Sequence, residues 1–100
     1  MDRRLELDAI LRTLAPKTYF QPPSNAQMVY PCVVYHYDTR VDQHADNRAF
    51  RSTDRYVLTV IDKDPDSHIW RNIMDALPMT AHQRWFTADG LNHHVINLHF

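Results

Sequence analysis

A chain of 100 residues is long enough for one domain, which buries about two-thirds of the surface that its unfolded form exposes. Eleven basic and twelve acidic residues give a net charge of −1 with neutral histidines, which argues against a general nucleic-acid binder because such proteins carry a basic excess. The single cysteine excludes an internal disulfide, and the sequence shows no uninterrupted apolar run for a signal peptide or a membrane span, so we expect a soluble intracellular protein.

The first predicted elements are a helix and a strand. Apolar residues recur at helical spacing at Leu7, Ile10, Leu11 and Leu14. Asp2 is a predicted cap of this helix and Pro16 a predicted stop. After a proline-containing loop at 21–25, residues 28–37 are dense in aromatic and β-branched side chains and predict a strand. Because Pro31 cannot donate to a ladder, we place this strand toward the outside of the sheet.

A polar arm follows at about residues 38–49 and shows no persistent period. A connection of about a dozen residues without its own structure is unusual in a compact domain and is often functional or mobile. Two interpretations stay open, which are a long solvated hairpin and a segment that orders only against a neighbouring molecule.

The stretch 51–77 joins a predicted strand to a predicted helix. Tyr56, Leu58 and Val60 alternate with Val57, Thr59 and Ile61. Both sets are largely apolar, which predicts a strand inside a sheet that is covered on both sides, at least in the finished assembly. We expect Asp64 to cap the helix, Pro65 to lie in its first turn and Asp66 to complement its dipole. The helix is predicted to close at 77–79.

Two last strands are predicted, a short one at 84–87 and another at 93–100. The turn between them holds Gly90, and the Asp-Gly pair favours a tight reversal with positive φ. The predicted order is therefore α-β-β-α-β-β. It describes one α+β domain over residues 1–100, with a small, mostly antiparallel sheet of about four strands and two helices packed on it.

Catalytic and metal-binding patterns are weak in this sequence. His93 and His94 are adjacent and face opposite sides of a strand, while the other histidines belong to separate elements without a paired ligand pattern. The alternation of Asp62, Asp64 and Asp66 is explained by helix capping, and nucleophile or phosphate-loop motifs are lacking. We expect no enzyme, no metal and no cofactor. The alternative from another class is a small metal-dependent hydrolase that uses some of the seven histidines.

Aromatic residues favour an interaction module over a catalyst. They exceed what a small core can bury completely, and tyrosine and tryptophan are enriched at protein interfaces. The residues concerned are Tyr30, Tyr35, Tyr37, Tyr56, Trp70, Trp85, Phe86 and Phe100.

Five segments carry a resemblance through their order and spacing. They are 30–35 (YPCVVY), 45–47 (ADN) leading into 50–56 (FRSTDRY), 59–67 (TVIDKDPDS), 77–79 (LPM) and 87–93 (TADGLNH). Together, over about residues 28–100, they resemble the tail-completion or tail-terminator proteins of long-tailed bacteriophages, which belong to the head–tail connector proteins.

The resemblance implies a structural protein of the virion tail or neck, assembled in the host cytoplasm. Such proteins form a ring, typically six-fold, that ends growth of the tail tube and presents the surface that joins the head. The implied partners are other copies of the chain, the tail-tube protein and the head–tail connector protein. DNA would only pass through the ring, and neither a membrane nor a catalytic residue is implied. The alternative within the virion is another neck protein, bound on the head side.

Members of the family use extended loops for contacts to the neighbouring subunit, the tube or the lumen, so the resemblance makes the arm a candidate site. The residues expected to contact other subunits or the lumen are Asp38, Arg40, Asp42, His44, Asp46 and Arg48. A slightly acidic protein suits a DNA conduit, because a basic lumen would retain the passing phosphates. We therefore expect acidic side chains of the arm to line the channel.

Overall fold

The computed structural model describes residues 3–23, 27–45 and 48–100. Within them lie two helices and a five-stranded, mostly antiparallel open sheet in the order α-β-β-β-α-β-β. The elements are α1 (Arg3–Leu14), β1 (Thr18–Phe20), β2 (Cys32–Ala45), β3 (Arg48–Asp62), α2 (Ile69–Ala76), β4 (Thr80–Ala88) and β5 (Leu91–His99). The predicted α+β class is confirmed, with one strand more than expected. The predicted cap Asp2 lies outside the described residues.

The strand order in the sheet is β1-β2-β3-β5-β4, so β3 is central, as its two apolar faces predict. The additional strand β1 pairs in parallel with residues 33–35 of β2, while all other pairs are antiparallel. The start of β2 is therefore an inner position and not the outer one expected from Pro31. β2 begins only at Cys32, directly after that proline, and continues to Ala45 instead of ending near Tyr37.

Both helices pack on one face of the sheet. Leu7 and Leu11 of α1 and Ile73 of α2 are fully buried, and they belong to one core with Leu58 of β3 and Ile96 of β5. The predicted alternation of β3 is confirmed, because Tyr56, Leu58 and Val60 all belong to this core. No helix in the described part of the chain is long and apolar enough to cross a membrane.

The opposite face of the sheet is covered at one end. A second cluster there is formed by Cys32, Val34 and Ile61, with Met28 and Tyr30 packed against it. Burial raises the pKa of the Cys32 thiol to about 11, with a smaller contribution from Asp62, so this thiol is a poor nucleophile at neutral pH. Farther along β3, Val57 and Thr59 on this face remain partly exposed.

A hydrogen bond between Asp8 and Tyr35 fixes α1 to the sheet. The Tyr35 hydroxyl donates to Asp8 Oδ1 at 2.6 Å, and Arg12 Nε donates to Asp8 Oδ2 at 2.6 Å. Burial alone would raise the pKa of Asp8, but the two hydrogen bonds outweigh it and the pKa lies below its ordinary value. Burial and the bond to Asp8 together raise the pKa of Tyr35 to about 12.

Replacing Tyr35 by Phe is expected to lower the free energy of unfolding by about 2 kcal/mol at pH 7, because it removes a hydrogen bond to a charged group. Since the folded pKa of Asp8 is depressed, its stabilising contribution is present above the unfolded pKa of about 4 and is lost as the pH falls through the folded value. Urea unfolding of both proteins between pH 7 and pH 2 should therefore show the difference shrinking below about pH 4. Tyr37→Phe, at an exposed ring, is the control. A difference independent of pH would contradict the role of Asp8.

Helix α2 begins later than predicted. The structure gives Ile69 as its first residue, preceded by His68, which makes no side-chain capping hydrogen bond. Instead, Asp62 Oδ1 accepts from the Asp64 amide and Asp64 Oδ1 accepts from the Asp66 amide, each at 2.9 Å. These aspartates therefore bond their own backbone two residues on, in successive Asx turns that lead from β3 to the helix. The predicted capping role of Asp64 and the helical position of Pro65 are wrong, whereas the predicted end at 77–79 is confirmed.

Strands β4 and β5 form the predicted hairpin. Asp89 has φ 52° and Gly90 has φ 73°, so the two-residue turn is a reversal with positive φ, as the Asp-Gly pair predicts. β4 is nine residues long, Thr80–Ala88, and thus longer than the predicted 84–87. Its register against β5 shifts by one residue between His82 and Arg84, which is a β-bulge.

Candidate assembly interface and histidine groove

The predicted arm is the outer part of a long β-hairpin. β2 and β3 pair from Cys32 with Ile61 out to Ala45 with Arg48. The pairing of β1 with β2 ends at Tyr35, and that of β3 with β5 ends at Arg55. Within the described residues, 39–45 and 48–53 therefore pair with each other alone, and we call them the ribbon. Seven residues of strand extend about 23 Å, in agreement with a molecule that measures 50 × 24 × 23 Å.

The expectation of a connection without its own structure is thus wrong, and the hairpin interpretation is the one that the structure supports. The segment forms strands because the backbone hydrogen bonds between β2 and β3 continue from the main sheet into it. Its sequence has no apolar period that would indicate this. The six candidate residues are distributed along it. Asp38 and Arg40 lie in β2 with exposed side chains, the backbones of Asp42 and His44 lie in β2 and that of Arg48 in β3, and Asp46 lies outside the described residues.

The base of the ribbon is attached to the body by several contacts. A register shift between Tyr37 and Thr39 leaves Asp38 bulged, and Asp38 Oδ2 lies 3.1 Å from Arg55 Nε. The ring of Tyr37 meets the buried ring of Tyr56 edge-on, with centroids 5.8 Å apart. The side chain of Arg55 is 35% exposed and that of Asp38 is 41% exposed. Because water screens exposed charges, this ion pair adds little stability. A β-bulge bends the strand that carries it, and this one lies where the ribbon leaves the body of the sheet.

At the opposite edge of the sheet, β4 presents aromatic side chains. Every residue from 81 to 88 is exposed, including Trp85 at 55% and Phe86 at 36%. They lie on opposite faces, because Trp85 is paired with His94 and Phe86 with His93. The predicted excess of aromatic side chains is confirmed in part, since Tyr35 and Tyr56 are buried while Tyr37, Trp85 and Phe86 are exposed.

An open pocket with a volume of about 420 Å³ lies between β4, β5 and the start of α2. We call it the histidine groove, and its lining residues are Pro65, Asp66, Ser67, His68, Trp70, Arg71, Trp85 and His94. The Trp70 ring stacks on His94 with centroids 4.6 Å apart and planes at 13°, and the Arg71 guanidinium lies 4.5 Å from the Trp70 ring centre. Burial chiefly lowers the pKa of His94, and the charges of His82 and Arg71 lower it further.

His82 lies beside this groove and meets His94. Its Nε2 is 3.1 Å from His94 Nδ1, and its ring centre is 4.9 Å from that of Trp70. Sequence reasoning missed this pair because the β-bulge moves His82 opposite Ile96, on the same face as His94. The predicted opposite orientation of His93 and His94 is confirmed, since His93 stacks on Phe86 on the other face. Among the described residues, no group of three or more His, Cys, Asp and Glu side chains is arranged to hold a metal ion.

Comparison of the chain with known protein families, with curated proteins and with solved structures finds no match.

Proposed function

We propose that this protein is a tail terminator of a long-tailed bacteriophage, which assembles as a ring on the tip of the tail tube. The observation that carries the proposal, beside the sequence resemblance, is the ribbon, which projects from the sheet and pairs only with itself in the described residues. A two-stranded hairpin is at best marginally stable by itself in water. Contact with a neighbouring subunit would stabilise a hairpin whose two strands, among the described residues, pair with no third strand.

A ring requires two different, complementary surfaces on each subunit, since head-to-tail association closes only when one surface meets the other. Two candidates for these surfaces lie on well-separated parts of the sheet. The ribbon extends from β2 and β3, and β4 is the edge strand next to β5, with exposed Trp85 and Phe86. Aromatic side chains of this kind are enriched among the residues that dominate binding energy.

The charge of the chain agrees with a passage for DNA. Its formal net charge is −1, and the sequence of the arm includes Asp38, Asp42 and Asp46. We propose that these carboxylates face the lumen, where they would repel the phosphates and let DNA pass without being held. A ring structure with arginine and lysine lining the channel would contradict this arrangement.

Tails assembled without this protein are expected to vary in length and to grow beyond the normal value, because nothing stops addition of tube subunits. Electron micrographs of tails from a phage that lacks the gene, compared with tails from the same mutant supplied with the protein, measure the effect. Tails of uniform, normal length in its absence would contradict the proposal.

The alternative is a neck protein that binds the head–tail connector instead of the tube. Purified tube and purified connector, each mixed with the protein, separate the two proposals. Binding to the end of the tube favours the terminator, and binding to the connector alone favours the neck protein.

A further inference from the structure

We propose that His82 and His94 form a binding site for a divalent transition-metal ion of the Zn²⁺ and Cu²⁺ class. The site lies on the hairpin of β4 and β5, beside the histidine groove and on the same strand as Trp85. Its metal affinity can be measured on the free protein, whatever the role in tail assembly.

The distance between the two ring nitrogens fits a shared ion. His82 Nε2 and His94 Nδ1 are 3.1 Å apart. With metal–nitrogen bonds of about 2.0–2.1 Å, this separation gives an angle of about 100° at the metal. That value lies between the angle of two neighbouring ligands in a square-planar site and that in a tetrahedral site, so the separation suits one shared ion once the rings turn so that both nitrogen lone pairs point at it.

The aromatic surroundings hold the two rings in this arrangement. Trp70 stacks on His94 and also contacts His82, with ring centres 4.6 Å and 4.9 Å apart. The two histidines come from neighbouring strands, and His94 is also partly buried. Less side-chain freedom is therefore lost when an ion binds than for two free surface histidines.

The ligand chemistry selects the class of metal. Imidazole nitrogens suit zinc, copper and nickel, whereas magnesium and calcium prefer oxygen ligands. Two protein ligands leave the remaining positions to water, so the ion should be held weakly and removed by a chelator. This differs from a closed structural zinc site, which has four protein ligands.

The test is a titration of untagged full-length protein with CuCl₂, ZnCl₂ and MgCl₂. Copper is followed by quenching of tryptophan fluorescence, because Trp70 contacts both histidines, and zinc is followed by calorimetry. We expect saturable binding of one copper or zinc ion per chain at the pair and none of magnesium. His82→Gln is expected to weaken binding at least about tenfold, because loss of even an outer partner of a metal ligand costs that much.

His93→Gln is the matched control. His93 is adjacent to His94 but stacks on Phe86 on the other face of the sheet, so this variant should bind like the parent. His82 is exposed, so its replacement leaves the core intact, and far-ultraviolet circular dichroism verifies the fold. Absence of saturable binding, or equal binding by His82→Gln, would show that the contact is only an N–H···N hydrogen bond. A stoichiometric metal that resists EDTA would also contradict a two-ligand site, and it would favour the metal-dependent hydrolase.

Discussion

A variant in which residues 41–53 are replaced by Asn-Gly is expected to fold as a monomer but to fail in ring assembly. Arg40 pairs with Asp54, so a two-residue turn placed between them closes the shortened hairpin in its existing register. Every residue of the core whose burial the structure describes lies outside 41–53, so these residues are unchanged in the variant. The variant loses the projecting ribbon, which is the part proposed to contact the neighbouring subunit.

Two measurements report the effect of shortening the ribbon. Circular dichroism with thermal unfolding reports on the fold, and electron microscopy of tails supplied with the variant reports on ring formation and tail length. We expect nearly unchanged unfolding, no rings and tails as long as those made without the protein.

The matched control changes Asp89 to Asn, which places the same Asn-Gly turn in the hairpin of β4 and β5. Asp89 and Gly90 already have positive φ, so this variant should fold and assemble like the parent. Normal rings from the shortened variant would exclude the ribbon from the interface. A shortened variant that unfolds would show instead that the ribbon is needed for the fold.

Leu58→Ala is expected to lower the free energy of unfolding by about 2–5 kcal/mol, the largest effect of a single substitution proposed here. Leu58 is fully buried in the central strand and belongs to the core between sheet and helices. Truncation leaves a cavity that rigid neighbours on β2 and β5 fill only in part. Urea unfolding followed by tryptophan fluorescence measures the loss.

Val57→Ala is the matched control because it changes the next residue of the same strand. Val57 lies on the other face and is only partly buried, so we expect a loss of about 1 kcal/mol or less. A slip of one residue in the register would exchange the two faces. A larger loss from Val57→Ala than from Leu58→Ala would therefore show that the register of β3 is wrong.

Elements with a strong local signal could be predicted from the sequence. The leucines of α1 recur at helical spacing, and Leu7 and Leu11 are buried. The alternation in β3 predicts both its central position and the face that meets the helices. The Asp-Gly pair predicts the turn before β5, because few residues other than glycine adopt positive φ without strain. In each case the information lies within a few neighbouring residues.

The other features of the fold depend on pairing between segments that are distant in the sequence. β1 has three residues, which are too few to show a period, and it forms a strand only through backbone pairing with the edge of β2. The ribbon has no apolar period, yet its strands continue the ladder that begins in the body. The bulge in β4 depends on its partner β5, and it alone brings His82 to the face of His94. Apolar period and turn chemistry, which are local properties of the sequence, therefore define the elements that face the core. The ribbon and the histidine pair form only in the folded chain, because both depend on hydrogen bonds between strands whose register local sequence does not encode.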